Sequence, residues 1–195
     1  MKMKKTLKQH YHESFRYVRE SKKFIFIIIF IFLILAIIGF ILPAPGTLSQ
    51  KIIDFTHELL AKTKGMGFFE LFWFIFFNNL KVSLLGMIFG ILFGIFPLLV
   101  GIANGYLIGF ITSFVSQQEG FLSLWKIFPH GIFELPAVFI SLGLGLKLGM
   151  FLFQKEKIGY LQYNFYKSSK AFFLIVLPLL ILAAIIETSL VLIIG

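Results

Sequence analysis

An unbroken apolar run of 19 residues, residues 24–42, constrains the fold of this chain more than any other feature. As an α-helix it would be about 28 Å long, which matches a hydrocarbon core of roughly 30 Å. The rest of the chain has the same character, because 58% of its 195 residues are hydrophobic and only 14% are charged. Soluble domains contain about 45–50% apolar and about 25% charged residues. The composition therefore excludes a water-soluble globule and predicts an integral membrane protein.

We predict an all-α, polytopic helical membrane protein with about five transmembrane helices plus short interfacial or re-entrant helices. Residues 1–23 form a basic N-terminal segment, and residues 24–195 form a single helical membrane domain. Gly94 and Pro97 mark a tight turn inside the long apolar stretch 78–115, which is therefore read as a helical hairpin. The predicted spans are residues 24–42, the two arms of that hairpin, residues 129–149, and residues 171–194 with a kink at Pro178.

Three further segments have the pattern of shorter helices. Residues 47–64 are amphipathic and are expected to lie at the membrane surface. Residues 155–170 alternate lysines with aromatic residues, as an interfacial helix would. Residues 66–77 are apolar but short, which favours an interfacial or re-entrant helix that runs up to Asn78 and Asn79, although the segment could instead extend the next span.

The positions of the basic residues predict the orientation of the chain. Eight lysines and arginines lie in residues 1–23 and five lie in residues 147–170, which an odd number of crossings places on one side. The positive-inside rule puts both segments in the cytoplasm, so the expected location is the cell membrane, with the N-terminus cytoplasmic and the C-terminus outside. The net charge of +9 is explained by these membrane-flanking segments, so no nucleic-acid partner is predicted.

Glycines recur every four residues on both arms of the hairpin. Such stripes of small residues let helix backbones approach closely. We expect the hairpin to pack against itself or against a second copy of the chain, which predicts a homo-oligomer, and Gly145 and Gly149 form a further, weaker notch. The two helix-packing stripes are Gly86, Gly90 and Gly94, and Gly101, Gly105 and Gly109.

Strongly polar residues are rare within the predicted spans, and each is costly there unless it faces the bundle interior. His130 and Glu134 are four residues apart and share a helix face. Lys81 is expected to snorkel towards the interface. Asn78 and Asn79 lie at the start of one predicted span, His130 and Glu134 at the start of another, and Glu187 near the end of a third. Because successive spans alternate in direction, all of these positions are predicted to lie in the outer leaflet. The predicted buried polar cluster comprises Asn78, Asn79, Asn104, His130, Glu134 and Glu187.

Several roles for this cluster remain open. It could be a structural lock, a proton or ion pathway, a ligand or lipid headgroup site, or a hydrolytic or metal site. The chain has no cysteine, no H-E-x-x-H motif and no G-x-S-x-G context around its serines. We therefore predict no catalytic residue, no metal ligand and no cofactor.

The asparagine pair, the glycine-spaced hairpin with its Asn104-Gly105 pair and the run from Pro129 to Ala137, PHGIFELPA, together resemble the stage II sporulation protein M family of integral membrane proteins. The sequence Ala183-Ala184-Ile185-Ile186-Glu187 is also similar to that family, so the resemblance covers roughly residues 20–195. It implies a multi-span protein that, in spore-forming bacteria, partners cell-wall-degrading enzymes in a membrane complex during engulfment. Members also occur in organisms that form no spores.

Two functions from different classes follow. The preferred hypothesis is a non-enzymatic scaffold or assembly protein, with the lipid bilayer, further copies of itself and other membrane or cell-envelope proteins as partners. The alternative is a transporter or channel component in which His130, Glu134 and Glu187 carry protons or bind an ion or a small polar solute. An intramembrane hydrolase is a third and weaker hypothesis.

Overall fold

The computed structural model describes residues 6–42, 44–122 and 128–194, with side chains described up to residue 122 and again over residues 134–193. All the regular elements in these ranges are helices, which confirms the all-α prediction. We number the eight α-helices in chain order as α1 Leu7–Glu20, α2 Lys22–Ile41, α3 Gly46–Thr63, α4 Phe68–Ile88, α5 Ile95–Glu119, α6 Phe128–Gly149, α7 Lys157–Ala171 and α8 Leu177–Ile194.

Five helical segments of the described chain are long and apolar enough to cross a membrane, which agrees with the predicted number of spans. Their bounds are Lys22–Ile41, Phe68–Ile91, Ile95–Glu119, Glu134–Phe153 and Lys157–Ile193. One predicted boundary is wrong: no break separates residues 66–77 from the asparagine pair, because α4 continues from Phe68 through both asparagines. The apolar aromatic segment is thus the first half of the second span, which was the alternative reading.

The turn of the hairpin lies where the sequence placed it. A short 3₁₀ turn, Phe89–Ile91, ends the second span, and Gly94 then adopts a positive φ of 70° immediately before α5. Glycine takes this left-handed conformation without a steric penalty. Pro97 follows in the first turn of α5, where its missing N–H breaks no helical hydrogen bond.

The spans alternate in direction, and helices of the same direction pack closely together. Along α2, Ile28, Phe32 and Ala36 meet successive glycines of α5 in the same order, so these two helices are parallel. The helices α2 and α6 are antiparallel, because Ile25 lies against Gly143 whereas the Phe32 and Phe139 rings lie 5.0 Å apart. Helices that cross one membrane in succession must alternate in direction in this way.

The last span continues from α7 without a loop. A π-helical turn, Phe172–Val176, joins α7 to α8. Pro178 follows directly; it has no N–H to donate to the carbonyl four residues earlier, and its ring crowds that turn. The irregular turn therefore lies where the sequence predicted a kink, and the predicted interfacial helix is the first part of one long helical run.

Both basic segments of the chain lie at the same end of the bundle. Lys147 at the end of α6 donates to the Ser21 hydroxyl at 3.0 Å, and Lys170 of α7 forms a 2.7 Å ion pair with Glu13 of α1. The amphipathic α3 belongs to the opposite end, between the first and second spans, and buries none of its residues. The two ends of the bundle thus differ in charge as the sequence predicted.

Candidate functional site

The glycines of α4 and of the turn that follows it pack closely against α6. Gly90 meets the backbone of Gly145, Gly94 meets Gly149, and Gly86 lies against Leu142. A Cβ atom at Gly90 or Gly145 would overlap the backbone of the opposite helix. Gly145 and Gly149, predicted to be a weaker notch, are therefore full members of this contact.

The glycines of α5 make the equivalent contact with α2. A Cβ built on Gly105 would lie 2.5 Å from the carbonyl oxygen of Phe32, and one on Gly109 would overlap the backbone of Ala36. Gly101 is looser, because its Cβ would lie 3.7 Å from the nearest atom, Ile28 Cγ2. A glycine of α2 that we did not single out, Gly39, completes the contact against the Tyr106 carbonyl.

The hairpin therefore does not pack against itself through its glycines, and that prediction is wrong. Each stripe is covered by a helix outside the hairpin, α6 for one and α2 for the other. Sequence periodicity identifies a smooth helix face but does not say which helix covers it. Because both faces are covered within the chain, they give no support to a homo-oligomer.

Three of the predicted polar side chains lie on three helices that pack together. Asn79 of α4 and Glu187 of α8 are buried, with 6% and 7% of their surfaces exposed, and Glu134 of α6 is half-buried. The carboxylate atom Oε2 is buried in both glutamates. The helices α4, α6 and α8 all contact one another, so these groups line the interior of one three-helix unit.

A hydrogen bond fixes the register of this unit. The Ser141 hydroxyl of α6 donates to the Ser83 carbonyl of α4 at 2.7 Å, and both serines are fully buried. Asn79 lies one turn before Ser83, and Glu134 lies two turns before Ser141 on the parallel helix. Both side chains are therefore displaced from the serine pair in the same direction, towards the end at which α4 and α6 begin.

Asn78 and Asn104 do not share this environment. Asn78 is exposed on the outer face of α4, and among the described residues its amide nitrogen reaches only the Asn79 Oδ1 atom, at 3.5 Å. Asn104 is half-buried on α5 and donates to the Val100 carbonyl of its own helix at 2.8 Å. The side chain of His130 lies outside the described residues, so a pocket shared by all six predicted residues stays a prediction.

The prediction that the asparagine pair begins a span is wrong. We expected both residues at the start of a span, in the outer leaflet. Because the second span begins at Phe68 and ends at Ile91, the pair lies close to its midpoint. The aromatic residues that precede the pair fill the first half of that span.

The structure shows a second buried polar cluster that we did not predict, at the basic end of the bundle. The Tyr17 hydroxyl of α1 contacts Asn164 Oδ1 at 3.0 Å and the Ser168 hydroxyl at 3.2 Å, both on α7. The Lys147 ammonium lies 4.0 Å from the centre of the Tyr17 ring while it donates to Ser21. These contacts fasten α1 across the ends of α6 and α7.

The environment of Tyr17 favours its neutral form. Only 3% of the residue is exposed, and burial raises the pKa of the Tyr17 phenol well above its usual value. Nearby Ser168 acts in the opposite direction through its hydrogen bond to the hydroxyl, but the effect of burial is the larger one. The cluster is therefore built for a protonated phenol that both donates and accepts hydrogen bonds.

A spacing in the sequence could have revealed this cluster. Tyr17 and Ser21 are four residues apart, as are Asn164 and Ser168, so each pair marks a polar stripe on one helix face. The more prominent pattern in both segments is their positive charge, together with the aromatic residues of the second, and it does not indicate this spacing. Among the described residues, no group of three histidine or acidic side chains comes together in a way that could hold a metal ion.

The comparisons with known proteins bear on the whole of this helical unit. The model of a family described as Stage II sporulation protein M matches residues 25–190. The chain belongs to the stage II sporulation protein M family. Comparison with curated proteins and with solved structures gives no match.

The stage II sporulation protein M match extends from α2 to α8 and so includes all five spans. Both glycine contacts and the polar residues between α4, α6 and α8 lie inside it. The resemblance noted in the sequence is thereby confirmed as family membership. The spans and the family together identify a multi-pass membrane protein.

Proposed function

We propose that this member of the stage II sporulation protein M family is a non-enzymatic scaffold that supports an assembly of membrane and cell-envelope proteins. The backbone-to-backbone packing of α4 on α6 and of α2 on α5 is the observation that carries the proposal. Helices joined at this distance cannot separate or slide past one another without breaking contacts along their whole length. Such a bundle suits a fixed support better than a moving gate.

The polar residues inside the bundle support a structural role of the same kind. The Ser83 and Ser141 contact holds α4 and α6 in register, and Asn79 and Glu187 continue the polar surface on α4 and α8. Polar contacts between membrane helices contribute about 0.6 kcal/mol on average, so each one favours its register about threefold and several together specify it. In this proposal the polar residues specify which helices meet and at what height.

A second candidate is transport of protons, ions or a small polar solute. It is favoured by one observation, the burial of a carboxylate oxygen of both Glu134 and Glu187 between packed helices. Ionisable groups at such positions in membrane proteins commonly belong to proton or ion pathways. The two candidates differ in what the purified protein does on its own, because a scaffold carries nothing across the membrane.

Two measurements on the full-length protein separate these functions. In proteoliposomes with an imposed proton or ion gradient, we expect the protein to leave the gradient intact. Transport would instead dissipate it, and Glu134→Gln would abolish the flux while Glu58→Gln, at an exposed carboxylate on α3, would not. That result would overturn the scaffold.

The second measurement is extraction from native membranes into polymer-bounded discs, followed by cross-linking. We expect a complex of defined composition that contains this chain and other envelope proteins. Discs that hold this chain alone, at native abundance, would contradict the proposal.

A further inference from the structure

The outer face of α4 carries polar groups that nothing in the described bundle covers. Asn78 and Lys81 are both exposed and lie three residues apart, so they point to the same side of the helix. Exposed apolar residues continue this face above and below them. We call it the α4 outer face and define it as Trp73, Phe77, Asn78, Lys81 and Leu85.

Lys81 lies too deep to reach water along the helix. The second span, Phe68–Ile91, has 24 residues, so its midpoint falls between Asn79 and Leu80. At 1.5 Å per residue, the Lys81 backbone is about 2 Å from that midpoint, and the nearer boundary of a 30 Å core is about 13 Å away. A lysine side chain spans roughly 6 Å, so the ammonium group stays within the hydrocarbon region and the expected snorkelling falls short.

Within the part of the chain that the structure describes, no side chain supplies a counter-charge for this ammonium group. Lys81 forms no hydrogen bond or ion pair with any residue in the described ranges. Lys147 also lies in a span but differs from Lys81, because the Lys147 ammonium group donates to Ser21 and contacts the Tyr17 ring. A cation held among acyl chains is costly, and membrane proteins offset the cost by pairing it.

A second copy of this chain is a poor source of the missing anion. Copies in one membrane share an orientation, so a two-fold contact through this face would bring one Lys81 near the other. Glu70 of α4 lies 11 residues away, about 16 Å along the helix and at the wrong depth. The carboxylates of Glu134 and Glu187 turn into the bundle, where Oε2 of each is buried.

We propose that the α4 outer face docks a transmembrane helix of a different protein, and that an aspartate or glutamate near the middle of that helix pairs with Lys81. The Asn78 amide, three residues away, is placed to donate to the same carboxylate. Trp73, Phe77 and Leu85 supply the apolar surface on which the partner helix packs. This inference rests on the proposed scaffold function and names the chemistry of a partner.

The test uses a synthetic transmembrane helix of leucines with a single glutamate at its centre. The full-length protein carries a donor dye on a cysteine introduced at Lys155, and the peptide carries an acceptor dye; the chain has no other cysteine. In liposomes we expect energy transfer to show at least tenfold tighter association with the glutamate peptide than with an all-leucine peptide. Lys81→Met should remove this preference, and Asn78→Leu should reduce it by a smaller factor.

Lys23→Met is the matched control, because Lys23 is an exposed lysine at the N-terminal end of α2. It should leave the preference intact. Equal association of both peptides with the wild-type protein, or an unchanged preference in Lys81→Met, would overturn the inference. Energy transfer between two labelled copies that Lys81→Met abolishes would show that a second copy covers this face, and would also overturn it.

Circular dichroism and gel filtration establish that Lys81→Met is folded. If that variant does not fold, Lys81→Arg, which keeps the charge, must retain the preference and Lys81→Gln must lose it. The peptide assay is independent of the native assembly. Binding of the peptide without a native complex would contradict the scaffold function but support the docking face. A native complex that persists in the Lys81→Met variant would support the scaffold function but contradict the docking face.

Discussion

Asn78 and Asn79 are neighbours in the sequence with opposite surroundings. Asn79 is buried between α4 and the helices that pack on it, whereas Asn78 faces outwards at the same depth. A rotation of 100° per residue is enough to separate them. Neither the pair nor its spacing says which asparagine faces inwards, so the sequence supported one polar cluster where the structure has an interior residue and an exterior one.

Tyr17 gives the folded protein a dependence on alkaline pH. Its unfolded pKa is about 10, and burial raises the folded value, so the folded state holds the phenolic proton more tightly. The contribution of this residue to stability is therefore complete below pH 10 and declines as the pH rises beyond it, by about 1.4 kcal/mol per pH unit. We expect Tyr17→Phe to lose this decline and to lower the unfolding free energy near pH 8 by about 1–3 kcal/mol.

The measurement is the unfolding free energy in mixed micelles from pH 8 to pH 11. The exposed Tyr166 provides the control, because Tyr166→Phe removes a phenol that is not buried. The same alkaline decline in the Tyr17→Phe and Tyr166→Phe variants would contradict the assignment.

The Tyr17 cluster also shows where prediction from sequence stops. Its partners are 147 and 151 residues away, and none of the three carries a charge. The strong signals in these segments are lysines, which predict a side of the membrane but carry no information about the neutral side chains between them. The apolar spans, by contrast, could be predicted because every residue of a span contributes to the same signal.

Among the elements, the α2 and α5 pair depends on glycine at particular positions. We expect Gly109→Ala to lower the unfolding free energy by about 1–3 kcal/mol, because the added methyl group would overlap the Ala36 backbone. Gly101→Ala on the same helix is the control: its methyl group meets Ile28 at an ordinary contact distance, and alanine favours the helix by about 1 kcal/mol. Titration with sodium dodecyl sulfate in mixed micelles measures both variants. Equal losses would mean that the close contact is not what stabilises the pair.

The glycine stripes were thus predicted as features but not as contacts. A four-residue repeat marks a surface that another helix can approach closely, and all six predicted glycines lie on α4, α5 or the turn between them. The identity of the covering helix depends on how spans far apart in the chain are arranged. That arrangement is a property of the bundle, which no local pattern contains.

For the whole molecule, the charge difference between the two ends predicts an orientation in the membrane. We expect the end with Lys147 and Lys170 to face the cytoplasm and α3 to face outwards. The chain lacks cysteine, so single cysteines report position cleanly. A membrane-impermeant maleimide should label His57→Cys in intact cells and Lys155→Cys only after permeabilisation. Labelling with the reverse pattern would invert the topology.

The order of helix contacts bears on how the chain is made. Gly109 meets Ala36 and Gly90 meets Gly145, so each of these close contacts skips over an intervening span. The helices are synthesised one after another, so α2 enters the membrane before its partner α5 has been translated. In the same way, α4 enters the membrane before α6. A nascent chain that stops after α4 leaves the faces of α2 and α4 that form these contacts without their partner helices. Interrupted synthesis therefore yields an inserted chain in which neither of the two close helix contacts has formed.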